Sequence, residues 1–544
     1  MVDHNCSTVI TSKTKKTNGK CFEPSYLKVK SLAPVFQGNS DVTSKQAVAL
    51  LGKYLVETMT PAFAAKCVRA AKEFSSESRE TSAGKLDGYS KLLIENGWHC
   101  MVKTASAPEM KRMLIEKEKA DHNLAVKNLS DAGKRKAGTF ESGSVDCSEI
   151  KDGRSYMFGW SLASNVEIDM AKKGTLSPCV QIDACHCDNG GLLFRAFTKD
   201  AAQHLVALLQ KFTIENETEP SWSAFLQELC KVYPPAKTAN ITFLADMHPA
   251  ISASLRSVTP KANRRKCYDH LKTSVVANAG IAMVGVFEEA AYAPTKEKYD
   301  AAMKNASPKL LRLLTQTHKP KEWAAHLLPP GVDDMASSGV EGMNGADRKT
   351  GVRELPLGMA MLEGLAIESQ KRYYERVVES RKVAEGDVLP LVKKEFQRRT
   401  DALKQRATGA VRFMNKERTE ARLEIKVKNS GGKTAARVVR LQGLDSTCEC
   451  ECAFPCGCIL YIAEKTGVLW ATLVPERMRA STFKAQYAGN PPYKVPGNET
   501  IALLEDENCL LPPVCFAPKA GRPSHKRTKG AIEKVMQKAT AKTN

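Results

Sequence analysis

Apolar positions along the chain change their period several times. From Ser44 to about Lys127, Ala47, Leu50, Leu51, Tyr54 and Leu55 recur at helical spacing, as do Tyr89, Leu92 and Leu93, so this stretch is expected to be helical. The run from Asp131 to Arg154 is rich in Gly, Ser and charge and has the composition of a linker. Three short apolar runs come after it, Cys179–Cys185 (CVQIDAC), Leu192–Thr198 (LLFRAFT) and Leu205–Thr213 (LVALLQKFT), separated by Asn-Gly-Gly and Lys-Asp turns. Closely linked strands of this kind predict an antiparallel meander. Next comes a helix that Thr218 or Glu219 can cap and Pro220 can open, with Trp222, Phe225, Leu226 and Leu229 as its apolar face. Ile241–Ala245 (ITFLA) predicts a strand, Pro249 starts another helix, and a further short strand is expected around Arg265–His270. Strands first, then strands alternating with helices, is an α/β layer pattern.

Further on, residues 285–335 are expected to be helical, with Tyr299, Leu310, Leu311, Leu314 and Trp323 as core. Helical stretches near Met359–Val378 and Leu391–Arg422 and a strand at Ala435–Leu441 complete the pattern. The chain then divides into a flexible basic arm (1–40), a helical N-terminal region (41–130), a linker (131–154) and the first part of an α/β core (155–284). Beyond these lie a helical insertion (285–335), the end of the core with a helical region (336–425), a cysteine motif (426–475) and a Pro-rich segment with a basic tail (500–544).

Charge narrows the choice of partners. Lys and Arg number 81 against 60 Asp and Glu, a net charge of +21, with a pI near 9.2. Such an excess favours a polyanion, either nucleic acid or an anionic membrane surface. No apolar run reaches the roughly 18 to 20 residues that span a bilayer, and the first residues are too polar for a secretory signal. Seventeen cysteines scattered without such a signal suggest reduced thiols and a metal site in an intracellular compartment. Nucleic acid is the expected partner.

Carboxylates carry the candidate chemistry. Asp183 sits inside the first strand between Ile182 and Ala184, where an unpaired charge is costly. Asp246 stands at the carboxyl end of ITFLA, a common place for sites in α/β folds, and Glu341 lies in SSGVEGMN. Taken singly, an acid at a strand end is more often a turn or helix cap than a catalyst.

Three blocks in order change that weighing. VQIDACHCDNGGLLFRAFTKDAAQHLVALLQKFTIENETEPSWSAFL, then FLADMHPAI with RRKCYDHL, then GVEGMN with Arg353 and Pro356 resemble the Mutator-like element transposases, over about Tyr156 to Arg527. The resemblance implies an RNase H-like core with a mixed five-stranded sheet and a helical insertion. It also implies an Asp/Asp/Glu triad, carried here onto Asp183, Asp246 and Glu341, that holds Mg²⁺ (or Mn²⁺) for cut-and-paste transposition. Hard divalent cations do prefer such oxygen donors. Cys267, His270, Asn344 and Arg353 match further family motifs. The spacing from Asn344 to Arg353 is slightly long and Gly342 stands where the family often has Ser, so Glu354 and the Asp333–Asp334 pair are weaker alternatives for the third acid. The implied partners are terminal inverted repeats and target DNA, in a nuclear homo-oligomer without membrane attachment.

The cysteines divide into two kinds. Cys185, His186 and Cys187 alternate along a strand, so the imidazole points away from the thiols and they are taken as strand residues. Cys267 and His270 have ligand spacing but make only half a site. Cys448, Cys450, Cys452, Cys456 and Cys458 put five thiols into eleven residues, enough for a closed Zn²⁺ site. The run resembles the SWIM zinc motif of these transposases, with Cys448, Cys450, Cys456 and Cys458 as ligands and Cys452 as the spare or a replacement for Cys448. Gly521-Arg522-Pro523, with Lys526 and Arg527, resembles the family's basic tail. It suits an AT-rich minor groove, and equally a solvated tail or import signal. The basic stretch from about Met110 to Arg135 is a candidate for the terminal-repeat-binding element. Two other functions remain open, a domesticated transposase-derived DNA-binding transcriptional regulator without catalysis and a zinc-dependent protein scaffold.

Overall fold

The computed structural model describes residues 83–127, 147, 150, 152–187, 191–329, 335–350, 352–354, 358–384, 386–408, 411–426, 434–450, 455–488 and 494–496. Helix α1 (Leu86–Glu95) buries Tyr89 and Leu93. The pattern at Ala47–Leu55 lies outside the described residues. Asn96 ends α1 by donating its side-chain amide to the Leu92 carbonyl (2.8 Å), and Gly97, at φ 88°, turns the chain out of it. The chain then enters strand β1 (Trp98–Ser106) and not more helix, a correction to the helical expectation for 41–130. The cause is a short period-two stretch, in which Trp98 and Cys100 are buried and His99 is only partly so, too brief to stand out beside the helical repeats around it. Helix α2 (Ala107–Lys127) comes next, then β2 (Ser155–Ser164) and α3 (Asn165–Lys172), which Ser164 caps by accepting from the Glu167 N–H.

The predicted meander is present as β3 (Cys179–His186), β4 (Leu192–Lys199) and β5 (Leu205–Thr213). Thr218 and Ser221 form a reciprocal capping box on α4 (Glu219–Val232), with Pro220 in its first turn. All four residues expected on its apolar face, Trp222, Phe225, Leu226 and Leu229, are buried. Strand β6 (Thr242–Ala245), helix α5 (Pro249–Val258) and strand β7 (Asn263–Lys266) complete the layer. The last strand ends sooner than expected, because Tyr268 already begins a helix.

These strands form one seven-stranded sheet in the order β1-β2-β5-β4-β3-β6-β7. The pairs from β1 to β3 are antiparallel, and β3–β6 and β6–β7 are parallel. Strands β3 to β7 make the RNase H-like sheet. The expected five strands become seven because β1 and β2 extend it beyond β5. Side-chain alternation gives the sheet two distinct faces. Phe194 of β4 meets Trp222 and Phe225 of α4, with ring centroids 4.7 and 5.6 Å away. Its neighbour Arg195 points to the other face.

Between β7 and the rest of the core, helices α6 (Tyr268–Ala279), α7 (Val284–Ala291), α8 (Lys296–Met303) and α9 (Pro308–Arg312) gather around a hydrophobic cluster of their own. It includes Tyr268, Phe287, Tyr299, Leu310, Leu314 and Trp323. The chain returns as α10 (Ser338–Thr350), α11 (Met359–Lys382) and α12 (Pro390–Lys404). The long helix expected over Leu391–Arg422 stops at Lys404, since Ala421, Leu423 and Ile425 are buried at every second position of a strand. A four-stranded antiparallel sheet, β8 (Arg412–Phe413), β9 (Glu420–Lys426), β10 (Thr434–Arg440) and β11 (Thr447–Cys448), leads into α13 (Gly457–Thr466) and α14 (Ala480–Tyr487). Among the described residues, no helix is long and apolar enough to cross a membrane.

Candidate active site and thiol cluster

Register alone brings two of the acids together. In the parallel β3–β6 pair, Gln181 lies level with Leu244. Two residues further along each strand come Asp183 and Asp246, on the same face of neighbouring strands about 4.8 Å apart. The next parallel pair sets Ala245 level with Lys266, so Cys267 continues the row. Asp246 also accepts from the His248 backbone N–H (2.8 Å), which fixes the loop entering α5.

Glu341 arrives from the far side of the helical insertion, in the first turn of α10. That helix is held to the sheet by Gln181, whose side-chain oxygen accepts from the Val340 N–H (3.2 Å), one of the orphan donors of a helix N-terminus. Gly339 makes the approach possible, since a Cβ there would come within 2.7 Å of that same oxygen and 2.9 Å of Leu205.

One face of α10 carries Glu341, Asn344 and Asp347 at three-residue intervals, which lie close together on a helix. Asn344 donates to an Asp183 carboxylate oxygen (2.7 Å) and accepts from the Arg195 guanidinium (3.0 Å). Arg195 lies directly opposite Asp183 on β4 and is ion-paired with Asp347, and neither side chain is exposed. Arg372 of α11 reaches Asp347 from behind (3.4 Å). Asp183 is therefore tied through Asn344 and Arg195 to a buried ion pair. Gln181, Arg195 and Asp347 were not singled out in the sequence, although an arginine within LLFRAFT is the same signal that marked Asp183.

Burial pushes the Asp183 carboxyl up to about 7, opposed by a hydrogen bond from its neighbouring backbone, with the charges of Glu341 and Asp246 adding to the rise. Asp183 therefore feels the charges of both other acids. Beside them, Cys267 is buried at the β7–α6 junction and accepts from the Ser337 N–H (3.3 Å). Burial raises its thiol, but hydrogen bonds with His270 and Ser337 more than offset this and leave it below the ordinary value. His270 is pushed up to about 9, first by its hydrogen bond with Cys267 and then, against burial, by the charges of Cys267, Glu341 and Asp246. Arg353 stands in a short turn, Val352–Glu354. Its charge opposes the rise that burial imposes on the Cys185 thiol. Cys185 and Cys187 are buried while His186 is exposed, as strand alternation requires.

The second cluster is local. The Sγ atoms of Cys448, Cys450, Cys456 and Cys458 all lie within 4.8 Å of one another, as the sequence reading of those four ligands expects. Cys456 also caps α13, accepting from the Ile459 N–H (3.4 Å). Gly457 lets α13 press onto α12, where a Cβ would stand 2.7 Å from the Arg399 carbonyl oxygen. Cys452, Asp333, Asp334, Pro356, Arg522, Lys526 and Arg527 lie outside the described residues.

A family model described as "MULE transposase domain" matches residues 180–274. The chain carries a MULE transposase domain. The matched span of this domain runs from β3 into α6, so it includes Asp183, Asp246, Cys267 and His270 and ends before Glu341. A comparison with curated proteins returned no match. A transposase domain implies DNA binding and suggests use of a divalent metal.

Proposed function

We propose that this MULE-domain protein is an active DNA transposase, which cuts and rejoins phosphodiester bonds with Asp183, Asp246 and Glu341. The observation that carries this is the parallel β3–β6 register, which leads to Asp183 inside β3 and to Asp246 just after the end of β6, with the charges of Glu341 and Asp246 bearing on Asp183. Asp183 feels the charges of both Asp246 and Glu341, and a shared cation would let the three acids stay ionised together. An all-oxygen donor set of this kind fits Mg²⁺ or Mn²⁺. When bound, a pair of such ions lowers the pKa of the attacking water and stabilises the leaving oxygen. The protein's own contribution is positional. Asn344 fixes one Asp183 oxygen, the His248 N–H holds Asp246, and the Ser337 hydroxyl donates to Glu341 (2.9 Å).

The four clustered thiols fit a structural Zn²⁺, because thiolates within 4.8 Å of one another repel unless a cation or protons neutralise them. DNA binding draws on the net charge of +21, with Arg522, Lys526 and Arg527 as phosphate or minor-groove contacts. A nuclear homo-oligomer acting on terminal inverted repeats completes the proposal. Purified protein is expected to nick DNA only with Mg²⁺ or Mn²⁺, and Asp183→Asn is expected to abolish this. Specific DNA binding without metal-dependent nicking would instead identify a domesticated regulator.

A further inference from the structure

Three elements converge beside the carboxylates at a point where the donors are no longer all oxygen. Cys267 ends the β7 strand segment, His270 sits on the first turn of α6, and Glu341 sits on the first turn of α10. Their ligand atoms all lie within 4.8 Å of one another. Both Cys267 Sγ, at 4.0 Å, and His270 Nδ1, at 3.6 Å, approach the same Glu341 oxygen. Ser337 holds the arrangement from behind, with its N–H on the thiol and its hydroxyl on the carboxylate.

We propose that Cys267, His270 and Glu341 form a second transition-metal site, selective for Zn²⁺ over Mg²⁺, that shares Glu341 with the carboxylate centre. A thiolate and an imidazole are poor ligands for Mg²⁺ and good ones for zinc. Tetrahedral zinc places sulfur, nitrogen and oxygen ligands about 3.4–3.6 Å apart, so the two separations from the Glu341 oxygen need to contract by only a few tenths of an ångström. Cys267 is fully buried, but the side chains of His270 and Glu341 are 42% and 40% exposed, which leaves an open side for entry and for a fourth ligand from solvent. Three protein ligands with one open position is a zinc geometry distinct from the closed four-thiol cluster. An ion seated here engages a Glu341 oxygen and so competes with the proposed catalytic use of that acid. This competition, unlike the binding itself, rests on the proposed function.

Zinc content of the full chain after loading and desalting is expected to be one ion per chain lower in Cys267→Ser than in the unaltered protein. His270→Gln, at a half-exposed position, should lose the same ion and guards against a folding defect in the buried variant. Asp183→Asn should keep it. Cobalt substitution should show a thiolate-to-metal absorption in the unaltered protein that weakens in Cys267→Ser. Equal zinc content in all three variants and the unaltered protein would overturn the site. Loss of the ion in Asp183→Asn as well would also overturn it, by placing the ion at the oxygen centre. If Mg²⁺-dependent nicking is observed, the zinc concentration that half-inhibits it should rise about 10–100-fold in Cys267→Ser. No rise would overturn the sharing of Glu341 while leaving the binding intact.

Discussion

The four-thiol cluster and the carboxylate cluster are built on opposite plans. Four thiols come from positions 448 to 458, one short stretch of sequence. Three acids come from positions 183 to 341, and nothing gathers them except strand register and the return of α10 after a separate helical body. A locally built centre depends on its ion more than on the surrounding fold. A distributed one depends on every element between its parts, which is why its support reaches back through Asn344, Arg195 and Asp347.

The largest expected effect tests the local half of that contrast. Cys456→Ser keeps a hydroxyl able to cap α13 and removes only a thiolate. Structural zinc in small modules is worth about 10–16 kcal/mol. The variant should therefore lose an ion and open β11 and α13 to hydrogen exchange, while strands β3 to β7 stay protected. Protection lost equally throughout the large sheet would show that the two centres are not independent.

Next in size is Asp183→Asn. Loss of several kcal/mol of transition-state stabilisation corresponds to about a 10³-fold fall in nicking rate. The folded protein itself should not suffer. The Asp183 carboxyl is raised from 3.8 to about 7, chiefly by burial, so folding favours its protonated form. That favourable state is fully present below pH 3.8 and is lost as pH rises through about 7. In cation-free protein the neutral Asn variant should thus melt higher than the unaltered chain above pH 7, and no higher at acid pH. A melting point lowered by the substitution at pH 8 would contradict the burial that raises the Asp183 carboxyl.

Asp347→Ala probes the support behind the acids. It leaves the fully buried Arg195 without its carboxylate, and breaking such a pair from one side costs about 3 kcal/mol or more. Denaturant midpoints should show it clearly. A change below about 0.5 kcal/mol, typical of surface substitutions, would mean that the pair does not secure α10 to β4.

Much of this was legible in the residues, for reasons that differ from place to place. The strands β3, β4 and β5 announced themselves because their apolar runs are bounded by turn residues, and α4 because Thr218, Pro220 and its apolar face agree with one another. The grouping of the four thiols could be read because they stand within eleven residues of one another in the chain. Strand β1 was missed because its period-two stretch is short, and tertiary pairing with β2 does more than that local pattern to make Trp98–Ser106 a strand. The same override accounts for β9, where period-two burial comes soon after a helix. Asp347 was invisible for a different reason. It is an ordinary charge in its own segment, and although Arg195 stands out as a charge within an apolar strand, only the register of β3 on β4 and the seating of α10 turn the two into a pair. Two steps of strand register beyond Gln181 and Leu244 explain why the charge of Asp246 bears on Asp183, a relation that no spacing in the sequence expresses.

The smallest and most discriminating effect is expected at Asn344. Its amide touches Asp183 on one side and Arg195 on the other, so it orients a ligand without being one. Removing such an outer partner typically costs about 10–100-fold in metal affinity or activity. Asn344→Ala should accordingly raise the Mg²⁺ concentration needed for half-maximal nicking, with a smaller fall in the rate at saturating metal. Asn344→Asp, isosteric but acidic, should be worse than alanine at low Mg²⁺, because a fourth carboxylate beside Asp183 adds repulsion that only the cation offsets. If instead alanine lowered the saturated rate as far as Asp183→Asn and left the metal dependence unchanged, Asn344 would belong among the groups that contact DNA. The carboxylate centre would then be smaller, and more like the thiol cluster in its independence, than its hydrogen bonds imply.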